Sequence, residues 1–343
     1  MTGTDSHETV AELIGAWALD ACSAAEEELV EAHLATCPAC AREGRELREA
    51  AAGLGGAHMR PPAGSLDRLR GAARARRRPA TPTAPYAAPY AAQVTALDLL
   101  LSDLAPADWQ RTAAHSELTV RELLAHLAAT DSLVAAALGL PVQPPVTPGE
   151  RLAARTAAAL RLERGRTAEQ TRRSWREQAD AVCRALLGPP APAIATVTLG
   201  RPFPLADALL ARAFETWIHG EDIAAVTGRP TVPPLPEHVH VMTDFATRVL
   251  PGVVTQRITP PHDRFLRLDL TGDGGGTWTV PLDPAAMAPV AVRPAAVVTL
   301  DVVEFCRLAA DRRDPRQITV AVRGDAALAR EFLAAVPALA PVP

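Results

Sequence analysis

The stretch Phe214-Glu215-Thr-Trp-Ile-His219-Gly-Glu-Asp222 decides the fold of the central part of the chain. It lies in a helical pattern that runs from about residue 204 to 227 and stops at Gly228, a residue type that commonly ends helices. Glu215 and His219 are four positions apart, so a helix presents both side chains on one face. The pair is either half of a metal site inside a bundle or an ordinary interaction on a helix surface. In a metal site, Asp222, one turn beyond His219, would be placed to orient a ligand or to add an oxygen ligand.

A second histidine extends this pattern to a third side chain. His126 lies in the middle of an apolar helix that begins with the capping box Thr119-Val-Arg-Glu122. An unpaired ring among leucines is costly, so His126 is either a core histidine with an ordinary partner or a ligand. If its helix neighbours the other one, His126, Glu215 and His219 form a two-histidine, one-carboxylate set with an open position, which is typical of catalytic zinc sites.

Helical periodicity surrounds these residues. Helical segments beginning near residue 93, at Thr119, near residue 149 and near residue 204 predict a four-helix bundle, with a single long helix over about 149–187. After Pro230 the pattern alternates with period two in 265–270 and 277–280 around a glycine-rich turn, which predicts a β-hairpin. Strands near 296–300 and 317–323 each precede a helix. The predicted fold class is therefore multidomain α and α+β, with a small helical module, a four-helix bundle and a small C-terminal α/β domain.

The N-terminal segment carries a second candidate metal site. His33-Leu-Ala-Thr-Cys37-Pro-Ala-Cys40 places three soft ligands on successive helical turns, and a closed zinc site needs four. His7 is the natural fourth ligand and Cys22 is its competitor. Coincidental residues on a helix surface are the alternative, but a segment too small for a good core gains most from a bound metal.

Composition limits the class of protein. With 343 residues, 48% of them hydrophobic and 22% charged, the chain is globular and long enough for two or three domains. It contains no Lys and no Asn, so all 35 basic residues are Arg, which with 32 prolines indicates a high-GC, actinobacterial source. A net charge of −4 argues against direct nucleic-acid binding. The absence of a long apolar stretch and of a basic leader predicts a cytoplasmic protein without a membrane span.

Changes in composition divide the chain into four parts. We predict a helical zinc module at 1–56, an Arg/Pro/Ala-rich linker at 57–92, a metal-binding bundle at 93–230 and an α/β domain at 231–343. Five cysteines, an odd number, do not resemble a disulfide framework, so the clustered pair indicates a metal or redox site.

Two known families share these motifs. Residues 5–55, with His7 and His33-Leu-Ala-Thr-Cys37-Pro-Ala-Cys40, resemble the zinc-associated anti-sigma domain. The resemblance implies a zinc site and a sigma factor as partner, whose access to RNA polymerase the module blocks; in some members thiol oxidation releases the sigma factor. This chain departs from many members in having no transmembrane segment, so its signals would arise in the cytoplasm.

Residues 93–335 resemble the mycothiol-dependent maleylpyruvate isomerase family, through Ser116 to Leu127, Glu215 to Arg229 and the C-terminal strands and helices. The resemblance implies a DinB-like bundle, a divalent metal held by His126, Glu215 and His219, the small-molecule thiol mycothiol as cofactor and a sterol-carrier-protein-like C-terminal domain. A thiol that binds a metal loses its proton near neutral pH, so thiolate addition to an alkene is chemically reasonable.

Two functions follow from the fused motifs. The leading hypothesis is a cytoplasmic, zinc-binding anti-sigma-like regulator whose bundle binds a thiol cofactor or senses thiol status. The alternative is an active mycothiol-dependent isomerase or thiol transferase in which the N-terminal module serves only stability or recruitment. The sequence assigns no general acid; Arg201, Arg212 and Arg293 are candidates for binding a substrate carboxylate.

Overall fold

The chain separates into two compact units, residues 1–78 and 79–343. The computed structural model describes residues 3–54, 80–188, 196–258, 265–282 and 293–340. Most of the predicted linker, from 57 to 79, lies outside the described residues. None of the helices within the described ranges is long and apolar enough to span a membrane.

The described part of the first unit contains three helices, in keeping with the predicted helical module. Its helices are α1 (Gly3–Ala18), α2 (Ala24–Leu34) and α3 (Pro38–Leu54). Ser23 begins α2 with a capping box that it shares with Glu26, which satisfies free amide groups at the helix start. The core is small and consists mainly of Val10, Ile14, Trp17, Val30 and Cys40. A core of this size leaves much of the module's stability to other interactions.

The second unit begins with a helical bundle. Its helices are α4 (Ala88–Ser102), α5 (Val120–Ala137), α6 (Leu152–Glu163), α7 (Ala168–Ala185) and α8 (Leu205–Thr227). Helix α8 packs against α4 and α5, and α5 also packs against α6 and α7. The helix α4 begins at Ala88, four residues before the predicted end of the linker, because Tyr90 and Ala91 are buried against the bundle.

The prediction of a single helix over 149–187 is wrong. Helix α6 ends at Glu163, and Thr167 starts α7 with a capping box that includes Gln170. The Thr-x-x-Gln spacing is a helix-start signal within the Arg-rich run, and it outweighs the continuous helical periodicity there.

A four-stranded sheet completes the second unit. The elements that follow the bundle are α9 (Pro236–Val254), β3 (Phe265–Thr271), β4 (Gly276–Pro281), β5 (Ala296–Asp301), α10 (Val302–Ala309), β6 (Ala321–Gly324) and α11 (Ala326–Ala335); a short hairpin of β1 (Thr196–Leu199) and β2 (Arg201–Pro204) precedes α8. The strand order is β4-β3-β5-β6, with β3 and β5 parallel and the outer pairs antiparallel. The predicted hairpin and both strand–helix units are confirmed.

The segment before this sheet is helical, and His238 and His240 lie in α9. Pro236 occupies the first turn of that helix, where its missing N–H costs nothing, although a proline-rich run before it indicates an irregular segment.

Bundle and sheet share one hydrophobic core. Buried side chains form a continuous cluster from Ala87 in the bundle to Val336 after α11, and it includes α9 and the inner face of the sheet. The predicted boundary at 230 falls in the loop between α8 and α9 and stays a prediction. The predicted class, multidomain α and α+β, is confirmed by the order of helices and strands.

The β3–β4 turn offers a test of how tightly the sheet packs on α9. Gly274 has φ +87°, and an added Cβ would lie 2.5 Å from the Pro236 carbonyl oxygen and 2.8 Å from the Val239 Cβ. We expect Gly274→Ala to lower the free energy of unfolding by about 1–3 kcal/mol, from backbone strain and this clash. Urea denaturation of the full chain measures the change.

A matched glycine in α9 serves as the control. Gly252 has open space around its Cβ position, so Gly252→Ala should raise the free energy of unfolding by about 0.5–1 kcal/mol. Equal stabilities of the two variants would contradict the packing described here.

Candidate functional site

The bundle brings together the three ligands predicted from the sequence. His126 comes from α5, and Glu215 and His219 come from α8. The Nε2 atom of His126 lies 2.9 Å from the Glu215 Oε1 atom, and the Nε2 atom of His219 lies 3.8 Å from the same oxygen. The three side chains are 14–17% exposed, so the cluster is partly accessible to solvent.

The donor set fits a divalent metal. In a tetrahedral site with Zn–N and Zn–O bonds of about 2.0–2.1 Å, ligand atoms lie about 3.3 Å apart. The two distances to Glu215 Oε1 lie on either side of this value, and one ligand atom from each residue falls within 4.8 Å of the others. Three protein ligands on a partly exposed face leave a position for a further ligand.

Each imidazole is held by its other nitrogen. The Nδ1 atom of His126 is 2.9 Å from the Thr156 hydroxyl on α6, and the Nδ1 atom of His219 is 3.0 Å from Asp222 Oδ2. These contacts orient both rings so that their Nε2 atoms face Glu215. The hydrogen-bond partners of metal-ligating histidines orient the rings in the same way in metalloproteins. Burial acts to raise the pKa of Asp222, but the hydrogen bonds from His219 and Arg312 outweigh it and hold that pKa below its ordinary value.

A buried arginine holds the third ligand. Arg212 is 1% exposed; its Nε donates to Asp131 at 2.7 Å and its Nη1 donates to the second oxygen of Glu215. Burial acts to raise the pKa of Glu215, but the charge of Arg212 and the contact with His126 outweigh it and hold that pKa well below its usual range. Glu215 is therefore ionised, with Oε1 facing the two histidines and Oε2 paired to Arg212.

The three arginines proposed for a substrate carboxylate have different surroundings. Arg212 already pairs with two carboxylates, Asp131 and Glu215, so its contacts do not fit that role. Arg201 is exposed and stacks on the Phe203 ring at 4.6 Å from its centroid, and Arg293 is exposed. Sequence reasoning missed Asp131, Thr156 and Arg312. Asp131 gave a signal, since it is an acid on an apolar helix.

The N-terminal module brings together all four residues of the second set. His7 Nδ1 lies 3.3 Å from His33 Nε2 and 3.4 Å from Cys40 Sγ, and one ligand atom of Cys37 is within 4.8 Å of the other three. Tetrahedral zinc with nitrogen and sulfur ligands places them about 3.3–3.8 Å apart, so this set fits a closed site. The competing Cys22 points elsewhere, with its thiol 3.8 Å from the Leu13 carbonyl oxygen.

The two cysteines of this set differ in their surroundings. The backbone amide of Cys40 lowers the pKa of the Cys37 thiol, while burial raises the pKa of the Cys40 thiol. Cys37 lies just before α3, so the free amides of the first turn face its sulfur. Cys183 and Cys306 are buried in the second unit, where burial raises the pKa of each to about 12.

Known proteins match both parts of the chain. Residues 90–224 match the family model of the mycothiol maleylpyruvate isomerase N-terminal domain, and residues 8–41 match a putative zinc-finger model. Two uncharacterized proteins of Mycobacterium tuberculosis, from strains CDC 1551 and H37Rv, are 34% identical over 119 residues, 33% of this chain. The chain spans 40% of the length of these curated relatives.

Solved structures are also similar. A crystal structure of the mycothiol-dependent maleylpyruvate isomerase is 17% identical, and one of its histidine-to-alanine mutant is 16% identical. Both have a TM-score of 0.48 and cover 69% of this chain and 91% of theirs. The family models confirm the two resemblances on which the sequence interpretation rests: a zinc-finger segment and an isomerase-type domain occur in one chain.

Metal content tests both ligand sets. We expect about two zinc ions per chain after purification with zinc, falling to about one in Cys40→Ser and about one in His219→Ala, because each variant removes one ligand from a different set. Elemental analysis and protein concentration measure the ratio.

Two control variants test whether the loss of zinc is specific to the two candidate ligand sets. Cys22→Ser and His240→Ala should keep about two zinc ions, since neither residue belongs to a ligand set. A loss of zinc in Cys22→Ser would assign the fourth N-terminal ligand to Cys22 instead of His7.

Proposed function

We propose that a chain carrying a putative zinc-finger and a mycothiol maleylpyruvate isomerase N-terminal domain is a cytoplasmic, zinc-binding anti-sigma-like regulator. In this proposal the N-terminal module binds a sigma factor, and the bundle binds a small-molecule thiol of the mycothiol class or senses thiol status. The observation that carries it is the pairing of a four-residue ligand set with a three-residue set in one chain.

The N-terminal set supports a structural and recognition role. Four ligands leave no coordination position for a substrate, so a metal there would stabilise the fold and not catalyse a reaction. The small core of this module makes such a contribution large, because binding free energy adds directly to folding free energy. A folded three-helix surface is then available to bind a partner protein.

The bundle set supports binding of a thiol. His126, Glu215 and His219 would hold zinc or another divalent metal, which when bound supplies a Lewis acid that favours the deprotonated form of a thiol. Thr156 and Asp222 orient the two imidazoles, and Arg212 keeps Glu215 ionised and directed at them. The partly exposed face admits the thiol.

Partner binding tests the regulatory half of the proposal. The tagged full chain, purified from its native cells under reducing, zinc-replete conditions, should retain a sigma factor that mass spectrometry identifies. Cys40→Ser should lose it, because the module without its metal loses its fold. Cys22→Ser is the matched control and should retain it. Absence of any sigma factor from the wild-type sample would overturn the anti-sigma role.

Thiol binding tests the other half. Calorimetry of the zinc-loaded full chain with mycothiol should give binding that His219→Ala weakens at least about tenfold, because a ligand is lost. His240→Ala should bind as the wild type does. In the cobalt-substituted chain, mycothiol should increase the thiolate-to-cobalt absorption above the contribution of Cys37 and Cys40. Equal mycothiol binding by His219→Ala would contradict a metal-bound thiol.

A second candidate, an active mycothiol-dependent isomerase or thiol transferase, is favoured by the open coordination position of the bundle set. Under it, the full chain converts maleylpyruvate or a reactive electrophile when mycothiol is present, and His219→Ala abolishes turnover while Cys40→Ser retains it. Thiol binding without turnover would favour the regulatory role.

A further inference from the structure

We infer that Arg312, which follows α10, is a positioning residue for the bundle ligands and acts on His219 through Asp222. This inference rests on the proposed metal site. It assigns a part in building that site to the C-terminal layer, which consists of α9 to α11 and the sheet of β3 to β6, although all three candidate ligands come from the bundle.

The contacts form an unbroken chain. Arg312 Nε donates to Asp222 Oδ1 at 2.9 Å, and Arg312 Nη2 donates to Asp222 Oδ2 at 2.7 Å. The same Oδ2 atom is 3.0 Å from His219 Nδ1. A two-bond contact between guanidinium and carboxylate fixes the plane of the carboxylate, and the carboxylate in turn fixes the rotation of the ring. The Nε2 atom of His219 is thereby kept toward Glu215.

The backbone after α10 is shaped to place Arg312. The Arg312 amide donates to the Arg307 carbonyl at 2.7 Å and the Asp311 amide donates to the Leu308 carbonyl at 3.0 Å, the bonding pattern of a Schellman turn. Asp311 takes the left-handed position of this turn with φ +59°, where glycine is usual. A further bond from Arg312 Nη1 to the Ala310 carbonyl, at 2.7 Å, holds the guanidinium.

Burial makes the contact between Arg312 and Asp222 difficult for water to replace. Asp222 is 3% exposed and the Arg312 side chain 15% exposed, so water cannot readily replace the guanidinium. Without Arg312, the carboxylate keeps only its contact with His219 among those described, so no second partner fixes its plane. The imidazole would then lose its fixed orientation while remaining in place on α8.

A neighbouring ion pair serves as a control, because it attaches the C-terminal layer to α8 without orienting a candidate ligand. Arg307 donates to both oxygens of Glu221 at 2.9 Å, across the same junction and with the same two-bond geometry. Glu221 is two positions after His219, and residues two apart on a helix do not share a face. Arg307 therefore attaches α10 to α8 as Arg312 does, without orienting a ligand.

The experiment compares these two arginines in the full chain. Cys40→Ser is the parent, so that zinc bound with high affinity reports the bundle site, and a chelator competition measures its affinity. We expect Arg312→Ala to weaken zinc binding by about 10–100-fold, the usual effect of removing such a partner, and Arg312→Lys to weaken it less. Arg307→Ala should leave the affinity within about twofold while lowering Tm by an amount similar to Arg312→Ala.

The outcomes separate this inference from the proposed function. Two results would overturn the positioning role and leave the metal site standing, provided that the parent protein binds zinc. In the first, Arg312→Ala binds zinc as tightly as the parent does. In the second, Arg307→Ala binds zinc as weakly as Arg312→Ala does. A parent that binds no zinc at the bundle overturns the metal site and the inference together. Cobalt absorption in the visible range gives an independent check, since a turned imidazole in Arg312→Ala changes the ligand-field bands and Arg307→Ala does not.

Discussion

The second unit depends on one buried cluster of charge, in which Arg212 lies between Asp131 and Glu215. Arg212 is on α8 and Asp131 on α5, and the Trp175 indole on α7 donates to Asp131 at 3.2 Å, so the cluster joins three helices. Breaking a buried pair of this kind costs about 3–5 kcal/mol, because the remaining charge has no water. The cluster places the ionised Glu215 beside two imidazoles, and this arrangement favours a divalent cation there.

The two candidate ligand sets could be located in the sequence because short-range spacing encodes most of each set. His33, Cys37 and Cys40 follow successive helical turns. Glu215 and His219 share a helix face. Only the assignment of His7 and His126 required an assumption about which helices pack together. The remaining site residues come from elements distant in sequence. Thr156 and Arg312 reach the ligands only after α6 and the C-terminal layer pack on the bundle, and no local pattern specifies that contact.

The error in fold prediction arises where two local sequence signals compete. The 149–187 segment has continuous helical periodicity, but a capping box at Thr167 divides it. Pro236 begins a helix before β3, and the apolar face of that helix packs in the core that it shares with the sheet. Arg212 was interpreted as a possible substrate contact because its charge is visible in the sequence and its burial is not.

A sensor requires that thiol binding favour one of two arrangements of an element that contacts the ligands. In the described structure, α6 contacts the His126 imidazole through Thr156, and the C-terminal layer reaches the His219 imidazole only indirectly, through the ion pair of Arg312 with Asp222 on α8. Helix α6 is firmly held, because the buried Arg155 donates to the Ser132 hydroxyl on α5 and to the Pro145 carbonyl. Arg312 is anchored by a turn that places Asp311 in a strained conformation. A rotation of the His219 imidazole is therefore transmitted to the C-terminal layer only through the Asp222–Arg312 ion pair, whereas a rotation of the His126 imidazole acts directly on α6.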